Sequence, residues 1–270
     1  MNSKILVCAH KHGEFLHNDV YVPIHAGHAN NNIELGFLRD DIGDNISVKN
    51  SNYCELTALY WAWKNMKDVD IIGLCHYRRF FNFANLGLLR KNMVYTSSWD
   101  KANVSSVDLA KILSRKDIIL PKPIVGPYSL KNQYCLQHIR EDLDILRATI
   151  LDVYPDYISD YDHIMNDTNK LFPYNMFITR WDIFADYCKW LFGILFLVEK
   201  KISISKYPYQ ARVFGFMGER LLNLYCYHHG LKAEYRQVCM INTDSAHLNY
   251  FQYWLRKAYF NFLFFLVSGK

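Results

Sequence analysis

The amino-acid sequence predicts a three-layer α/β fold, in which a central sheet is packed between helices. Short apolar runs rich in branched residues alternate along the 270 residues with longer amphipathic segments, which is the pattern of strands and helices in such a fold. Hydrophobic residues make up 51% of the chain and charged residues 21%, so it can bury a large core. With 12 glycines and 7 prolines, the composition excludes collagen-like and low-complexity chains.

The predicted strands are apolar runs that stop at polar or turn-forming residues. The first of them leads into the polar loop 10–13, as at the start of nucleotide-binding α/β folds. One predicted helix carries Glu55 three residues after Asn52, in the spacing of a capping box. The strands are predicted at 4–9, 20–24, 70–75, 116–120, 173–179 and 233–241, and the helices at 52–65, 136–153, 181–200 and 214–227, the last of which begins with a glycine-punctuated loop. The polar segment 27–49 is predicted to be a long loop, and such loops are usually functional or mobile.

The charge of the chain is concentrated in its last quarter. Residues 200–270 contain ten Lys and Arg but three Asp and Glu, whereas the net charge of the whole chain is +5. A basic region indicates an anionic partner, which can be a nucleotide diphosphate, a phospholipid surface or a nucleic acid. No run of Lys and Arg there exceeds two residues, so no nucleic-acid partner is expected.

The segment 245–270 is predicted to be separate from the main domain, which we place at 1–244. Within it, residues 258–267 contain Asn261 as their one polar member, a run too short to span a bilayer, which needs about 20 apolar residues. It suits an amphipathic helix in the interface of an anionic membrane, with Arg256, Lys257 and Lys270 near the head groups. A helix packed on the domain and a dimer contact are the alternatives.

The cysteines indicate a reducing compartment. The seven cysteines are scattered without a CxxC spacing, and most lie in apolar runs, as expected for buried free thiols. The N-terminal apolar run is too short for a signal peptide. Together with the segment 245–270, these features predict a cytoplasmic protein that associates peripherally with the inner face of the cytoplasmic membrane.

The candidate site lies where the predicted strands end, because layered α/β sheets bind ligands at the carboxyl ends of their strands. His10 and Lys11 follow the first strand, and His76, Arg78 and Arg79 follow another. Guanidinium groups can neutralise a departing diphosphate without a metal. In the alternative interpretation, neighbouring residues of an extended segment point in opposite directions, and one arginine is structural.

No cofactor is expected, although a divalent metal is the alternative. The motif Asp68-Val69-Asp70 matches the D-x-D pair that holds a cation in metal-dependent sugar transferases. It precedes its strand, however, and is predicted to be a solvated turn at the amino end, away from the candidate site. The sequence also lacks GxGxxG, GxxxxGK[ST], GxSxG and HExxH motifs.

Five stretches of the sequence together resemble a bacterial family catalogued as a domain of unknown function. They are residues 41–50, 53–65, 72–80 (IGLCHYRRF), 174–178 (YNMFI) and 212–221 (RVFGFMGERL). Members of the family look like glycosyltransferases encoded in capsule, exopolysaccharide and O-antigen gene clusters. The resemblance covers residues 4–242. It implies a GT-A-like fold with a mixed, mostly parallel central sheet, a nucleotide-sugar donor with UDP as its nucleotide, and a lipid-linked glycan acceptor. Galactofuranose is the sugar that relatives suggest.

For such a reaction, which we expect to be inverting, a carboxylate must accept the proton of the acceptor hydroxyl. Glu219 is predicted to be this base, with Arg220 beside it, because Gly215 and Gly218 precede it at a predicted helix start. The alternative is a capping carboxylate paired with Arg220. Glu55 is the rival base, although its capping-box position already explains it.

The remaining candidates lie in a polar loop and in a turn. For donor binding we add Asp44, Asn45, Ser47, Lys49 and Asn50 to the residues that follow the strands, although turn chemistry and helix capping explain some of them. Tyr174 and Asn175 are assigned to the acceptor. Two other functions remain open, a non-catalytic nucleotide- or sugar-binding partner of another transferase and a nucleotidyltransferase. A nucleotidyltransferase usually has a glycine-rich basic first loop, whereas loop 10–13 has one glycine.

Overall fold

The computed structural model describes residues 1–13, 16–31, 33–83, 93–96, 108–241 and 250–268. Strands and helices alternate over most of these residues, as the sequence predicts. The strands are β1 (Ser3–Ala9), β2 (Tyr21–His25), β3 (Leu38–Arg39), β4 (Ile71–His76), β5 (Arg79–Asn82), β6 (Met93–Thr96), β7 (Ile118–Pro121), β8 (Ile124–Val125), β9 (Lys170–Leu171), β10 (Phe177–Arg180) and β11 (Ala233–Ile241). The helices are α1 (Asn50–Tyr53), α2 (Leu56–Asn65), α3 (Leu109–Leu113), α4 (Leu130–Gln137), α5 (Arg140–Val153), α6 (Ile158–Asp167), α7 (Trp181–Glu199), α8 (Val213–His228) and α9 (Tyr250–Ser268).

The central sheet is mixed, so the expectation of a mostly parallel sheet is wrong. Strand β1 pairs in parallel with β2 and β4, and β3 continues this parallel half beyond β2. On the other side of β4, strands β5 and β10 both run antiparallel to it. Strand β11 then pairs antiparallel with β5 and parallel with β6 and β7. The tight connection from β4 to β5 requires the antiparallel direction, because parallel strands need a long crossover.

The helices of the main core pack on one face of this sheet. Helix α7 is apolar nearly all round, and its Phe184, Leu191 and Leu195 are fully buried. It packs against α2, α5 and α8. Within the described residues, the other face is covered in part by α3, whose Leu109 and Leu113 are buried. The candidate site lies at the edge of the sheet where β1 and β4 end.

The predicted helix 52–65 is interrupted, which corrects both the single helix and its capping box. Cys54 adopts φ 52° and ψ −132° and ends α1, a conformation that costs a non-glycine residue energy and is often found at functional sites. The Nδ2 group of Asn50 supports the break by donating to the Cys54 carbonyl at 2.8 Å and to Thr57 Oγ1 at 3.0 Å. Glu55 therefore makes no capping hydrogen bond.

Three other predicted boundaries differ from the structure. The helix predicted over 136–153 begins only at Arg140, as α5, because α4 ends at Gln137, and the strand predicted over 173–179 begins only at Phe177. Its first residues form a turn instead, since Tyr174 and Asn175 have positive φ angles of 72° and 51°. Helix α8 starts at Val213 and includes the two glycines that were expected in a loop.

The segment after the main domain contains the predicted helix, α9, which contacts β8. Asn169 joins the two by donating from Nδ2 to Asn261 Oδ1 at 3.2 Å. The predicted boundary at 244/245 lies outside the described residues. Across the part of the chain that the structure describes, no helix is both long enough and apolar enough to cross a membrane.

Candidate active site

The ends of β1 and β4 bring together side chains that the sequence predicts for the site: His10 and Lys11 after β1, and His76 and Arg78 at the end of β4. Cys8 pairs with His76 in the sheet, and the Tyr77 amide donates to the Cys8 carbonyl at 3.1 Å. Around the Tyr77 ring lie His10 at 5.4 Å, Lys11 Nζ at 5.7 Å and Arg78 Cζ at 5.2 Å from its centroid. Burial, together with the neighbouring cations, lowers the pKa of His10. This edge is therefore cationic through Lys11 and Arg78.

Arg79 is the first residue of β5, and its side chain lies on the opposite side of the β4–β5 hairpin from Arg78. Its Cζ lies 4.4 Å from the centroid of the Tyr174 ring, and its Nε is buried without a hydrogen-bond partner. The Nε2 atom of His76 is 2.8 Å from the Tyr174 carbonyl oxygen, so this nitrogen carries the proton that it donates. Because burial lowers the pKa of His76, the ring is neutral at pH 7.

A further cation, Arg212, reaches the site from the residue before α8. Its Nε donates to Cys54 Sγ at 3.2 Å, and Glu55 lies near enough to interact with it electrostatically. Burial raises the pKa of the Cys54 thiol to about 11, so the sulfur is a neutral partner. The side chain of Arg212 is exposed, and its positive charge also influences His10.

Glu219 lies one and a half turns into α8, held from two sides. Its Oε1 accepts the Tyr174 amide at 2.7 Å, and its Oε2 accepts Arg220 Nη1 at 2.9 Å. Burial raises the pKa of Glu219 and nearby Glu55 raises it further, against the opposing effect of Arg220. Glu219 lies inside α8 and not at its N-terminus, so it does not cap the helix as the alternative proposed. The predicted pairing with Arg220 is present.

Glu55 is the second carboxylate, and the break at Cys54 brings it to the site. Its Oε1 accepts Asn175 Nδ2 at 2.7 Å, and the same Nδ2 donates to the Gly215 carbonyl at 3.1 Å. Asn175 is 1% exposed. A Cβ at Gly218 would lie 2.9 Å from Asn175 Oδ1, so glycine is needed there for α8 to approach this turn. The turn 174–175 thus positions both carboxylates.

The family model described as "Domain of unknown function (DUF4422)" matches residues 4–230. The chain belongs to this family. Among solved structures, the apo structure of the WbbM bifunctional glycosyltransferase is similar to this DUF4422 chain with a TM-score of 0.84 and 32% sequence identity. The similarity covers 92% of this chain and 47% of that one, so the DUF4422 chain spans about half the length of its structural relative. No curated protein matches the chain.

In this DUF4422 chain, the polar loop does not place its predicted donor-binding residues beside the cations of the site, which are Lys11, Arg78, Arg79 and Arg212. Lys49 Nζ donates to Glu199 Oε2 at 2.6 Å, at the end of α7, and Asn50 supports the Cys54 break. The other three side chains make contacts within the loop and to α2: Asp44 Oδ1 accepts Tyr60 Oη, Asn45 Nδ2 donates to the Asp41 and Gly43 carbonyls, and Ser47 Oγ donates to Asp40.

The acidic pair of the D-x-D motif lies at the opposite end of β4 from His76. Asp70 Oδ2 accepts the Asn2 amide at 2.7 Å, and the Asp68 carbonyl accepts Asn2 Nδ2 at 2.6 Å. This is the amino-end placement that the sequence predicts. Among the described residues, no three His, Cys, Asp or Glu side chains form a group that could hold a metal ion.

The sequence interpretation missed Arg212 and Cys54 as members of this site. Arg212 opens the stretch 212–221 that carries the family resemblance, and this was the available signal. No signal in the sequence indicated Cys54, because its role depends on a backbone conformation that the identity of the residue does not predict. Of the predicted residues, Arg220 is 3% exposed and lies over the Tyr134 ring with its Cζ at 5.3 Å. It therefore supports Glu219 from inside the domain.

Proposed function

We propose that the chain is a glycosyltransferase that moves a sugar from a nucleoside-diphosphate donor, with UDP as its nucleotide, to a glycan acceptor. One observation carries this proposal: four cationic side chains and two carboxylates lie in one region beside the carboxyl ends of β1 and β4. The cations are Lys11, Arg78, Arg79 and Arg212, and the carboxylates are Glu55 and Glu219. Similarity to a bifunctional glycosyltransferase supports it.

The cations serve the leaving group. When the bond between the sugar and the diphosphate breaks, negative charge grows on the phosphate oxygens. Charged donors that already point there stabilise this charge without reorganisation. Arg79 is placed best for this task, because its partly buried guanidinium retains an unpartnered Nε and its charge is less screened than an exposed one. His10 and His76 line the same edge as neutral rings.

The carboxylates serve the acceptor. In the proposed step the acceptor oxygen attacks the anomeric carbon, the sugar–diphosphate bond breaks, and the hydroxyl proton passes to Glu219, with inversion. A raised pKa makes a carboxylate a stronger base near neutral pH. Glu55 stays as the second anion that holds Asn175 in place. The proposed donor sugar is galactofuranose, and the proposed acceptor is a lipid-linked glycan of a surface polysaccharide.

Incubation with a panel of nucleotide sugars in excess EDTA tests the reaction and its metal independence together. We expect one donor to release its nucleoside diphosphate, and EDTA to leave the rate unchanged, because the cationic side chains supply the charge that a metal would otherwise supply. Loss of activity in EDTA with rescue by Mn²⁺ would contradict metal-independent chemistry. Release of pyrophosphate would indicate a nucleotidyltransferase, and binding without turnover a binding module.

We also propose that α9 lies on an anionic membrane surface. Large exposed apolar side chains recur every three or four residues along one face of the helix: Phe251, Trp254, Leu255, Tyr259, Phe262, Phe265 and Leu266. Arg256 and Lys257 lie on its other half, where long basic side chains can reach head groups. Asn169 holds α9 on the domain by donating to Asn261, and a helix on a membrane surface suits a lipid-linked acceptor.

Sedimentation with liposomes tests this placement. We expect the protein to sediment with phosphatidylglycerol-containing liposomes at low salt, and the double variant Trp254→Asp/Phe262→Asp to remain in the supernatant, since two charges on the apolar face oppose insertion. Leu151→Asp, which alters an exposed leucine on α5, is the matched control and should bind like the unmodified protein. Equal binding by the double variant would assign the apolar face to another contact.

A further inference from the structure

Three aromatic rings form a cluster beside the candidate active site, and the reaction proposed above does not use them. The His138 ring lies 3.9 Å from Phe216 and 5.8 Å from Tyr209 and is within 24° of parallel to both, while the Tyr209 and Phe216 rings lie 5.3 Å apart at an angle of 46°. Tyr209 is 55% exposed, so one ring of the cluster faces solvent. We refer to Tyr209, His138 and Phe216 as the aromatic platform.

The platform is fixed in place and uncharged. Gln210 donates from Nε2 to the Gln137 carbonyl at 2.8 Å, and its Oε1 lies 3.4 Å from His138 Nδ1. Burial, reinforced by the charge of Arg220, lowers the pKa of His138 to about 4. At neutral pH the imidazole is therefore neutral. A rigid, neutral aromatic surface binds a ligand at a small entropic cost.

The platform adjoins one carboxylate, Glu219, and one cation, Arg212. Phe216 precedes Glu219 by three residues on α8, so the two side chains share one side of the helix, about 5 Å apart along its axis. Arg212 Cζ lies 5.7 Å from the centroid of the Phe216 ring. Asn52 also fastens this region to α1, by donating from Nδ2 to the Ala211 carbonyl at 2.8 Å. The aromatic platform therefore lies next to Arg212, at the border of the cationic side chains.

We propose that the aromatic platform binds a sugar ring of the acceptor glycan. The proposal rests on the glycosyltransferase function and adds a subsite to it. The C–H face of a sugar ring is apolar and packs on aromatic rings, whereas a diphosphate requires the charges that lie beyond Arg212. A sugar seated on Phe216 and Tyr209 would present a hydroxyl toward Glu219, one helical turn away.

The test compares Tyr209→Ala with Tyr227→Ala, a similarly exposed tyrosine near the end of α8. Binding of octyl glycosides of galactose, glucose and N-acetylglucosamine is followed by saturation-transfer NMR, and binding of UDP by calorimetry. We expect the unmodified protein and Tyr227→Ala to bind at least one glycoside. Tyr209→Ala should bind it about three- to tenfold more weakly, the effect of losing one ring contact, with an unchanged Kd for UDP.

The outcomes separate this subsite from the reaction. If no glycoside binds, or if Tyr209→Ala binds as well as the unmodified protein, the subsite is refuted. A weaker affinity for UDP with unchanged glycoside binding would refute it too, and would assign the platform to the nucleotide base. If glycoside binding depends on Tyr209 but no nucleotide sugar is turned over, the subsite stands and the glycosyltransferase proposal fails.

Discussion

Replacement of Glu219 by glutamine is expected to lower kcat by about 10²- to 10⁴-fold, the range contributed by a positioned general base, while the protein remains folded. Glutamine has the size of glutamate and its carbonyl oxygen can still accept the Tyr174 amide, but it cannot take a proton. Steady-state transfer with the donor identified from the panel measures the effect. Glu141→Gln, at an exposed position in the first turn of α5, is the matched control.

The same variant series decides between the two carboxylates. Glu55→Gln should reduce kcat less than Glu219→Gln, because in this proposal it only weakens the support of Asn175. In the unmodified protein, kcat should fall as the pH drops through the raised pKa of Glu219, since the protonated carboxyl cannot act as base. A larger loss of kcat in Glu55→Gln than in Glu219→Gln would transfer the role of base to Glu55.

Replacement of Arg79 by alanine is expected to lower kcat by about 10²- to 10³-fold, as for the removal of one donor that stabilises developing charge, with a smaller change in the Kd for UDP. An interaction that strengthens in the transition state affects turnover more than ground-state binding. Arg78→Ala should have a smaller effect, since Arg78 is exposed and its charge is screened by solvent.

The control for this variant is Arg115→Ala, which removes an exposed arginine just after α3. Arg115 precedes β7, on the opposite edge of the sheet from His76, and should leave both constants unchanged. A thermal melt of each variant separates loss of function from loss of fold. If Arg79→Ala raises only the Michaelis constant, Arg79 contributes uniform binding; if it lowers the melting temperature strongly, its role is structural.

The sequence predicted most of the fold because hydrophobic periodicity is a local signal. The strand at 233–241 and the helix at 181–199 agree closely with their predictions. The break at Cys54 was not predictable from the local sequence, since it depends on Asn50 and on contact with α8. The two glycines of α8 were interpreted as loop residues for the same reason: their role is to allow close approach between elements distant in the chain.

For the site, sequence reasoning located the edge of the sheet but not the roles of its side chains. His10, Lys11, His76, Arg78 and Arg79 could be placed together because strand ends meet at one edge. The partners of Lys49 and Asp44 could not be predicted, because Glu199 and Tyr60 come from other elements. Likewise, the contacts of Tyr174 and Asn175 with Glu219 and Glu55 could not be predicted, because the carboxylates come from other elements; the assignment of these two residues to the acceptor stays a prediction.

The way the site is assembled from the chain has a consequence for biosynthesis. Its parts come from residues 10–11, 54–55, 76–79, 174–175 and 212–220, so the first and last of them are separated by about two hundred positions. A nascent chain emerging from the ribosome would hold Lys11, Arg78 and Arg79 long before Arg212 and Glu219 are made. In the proposed reaction, transfer can begin only when α8 has docked and has brought Glu219 to these cations, so an incomplete polypeptide would be inactive.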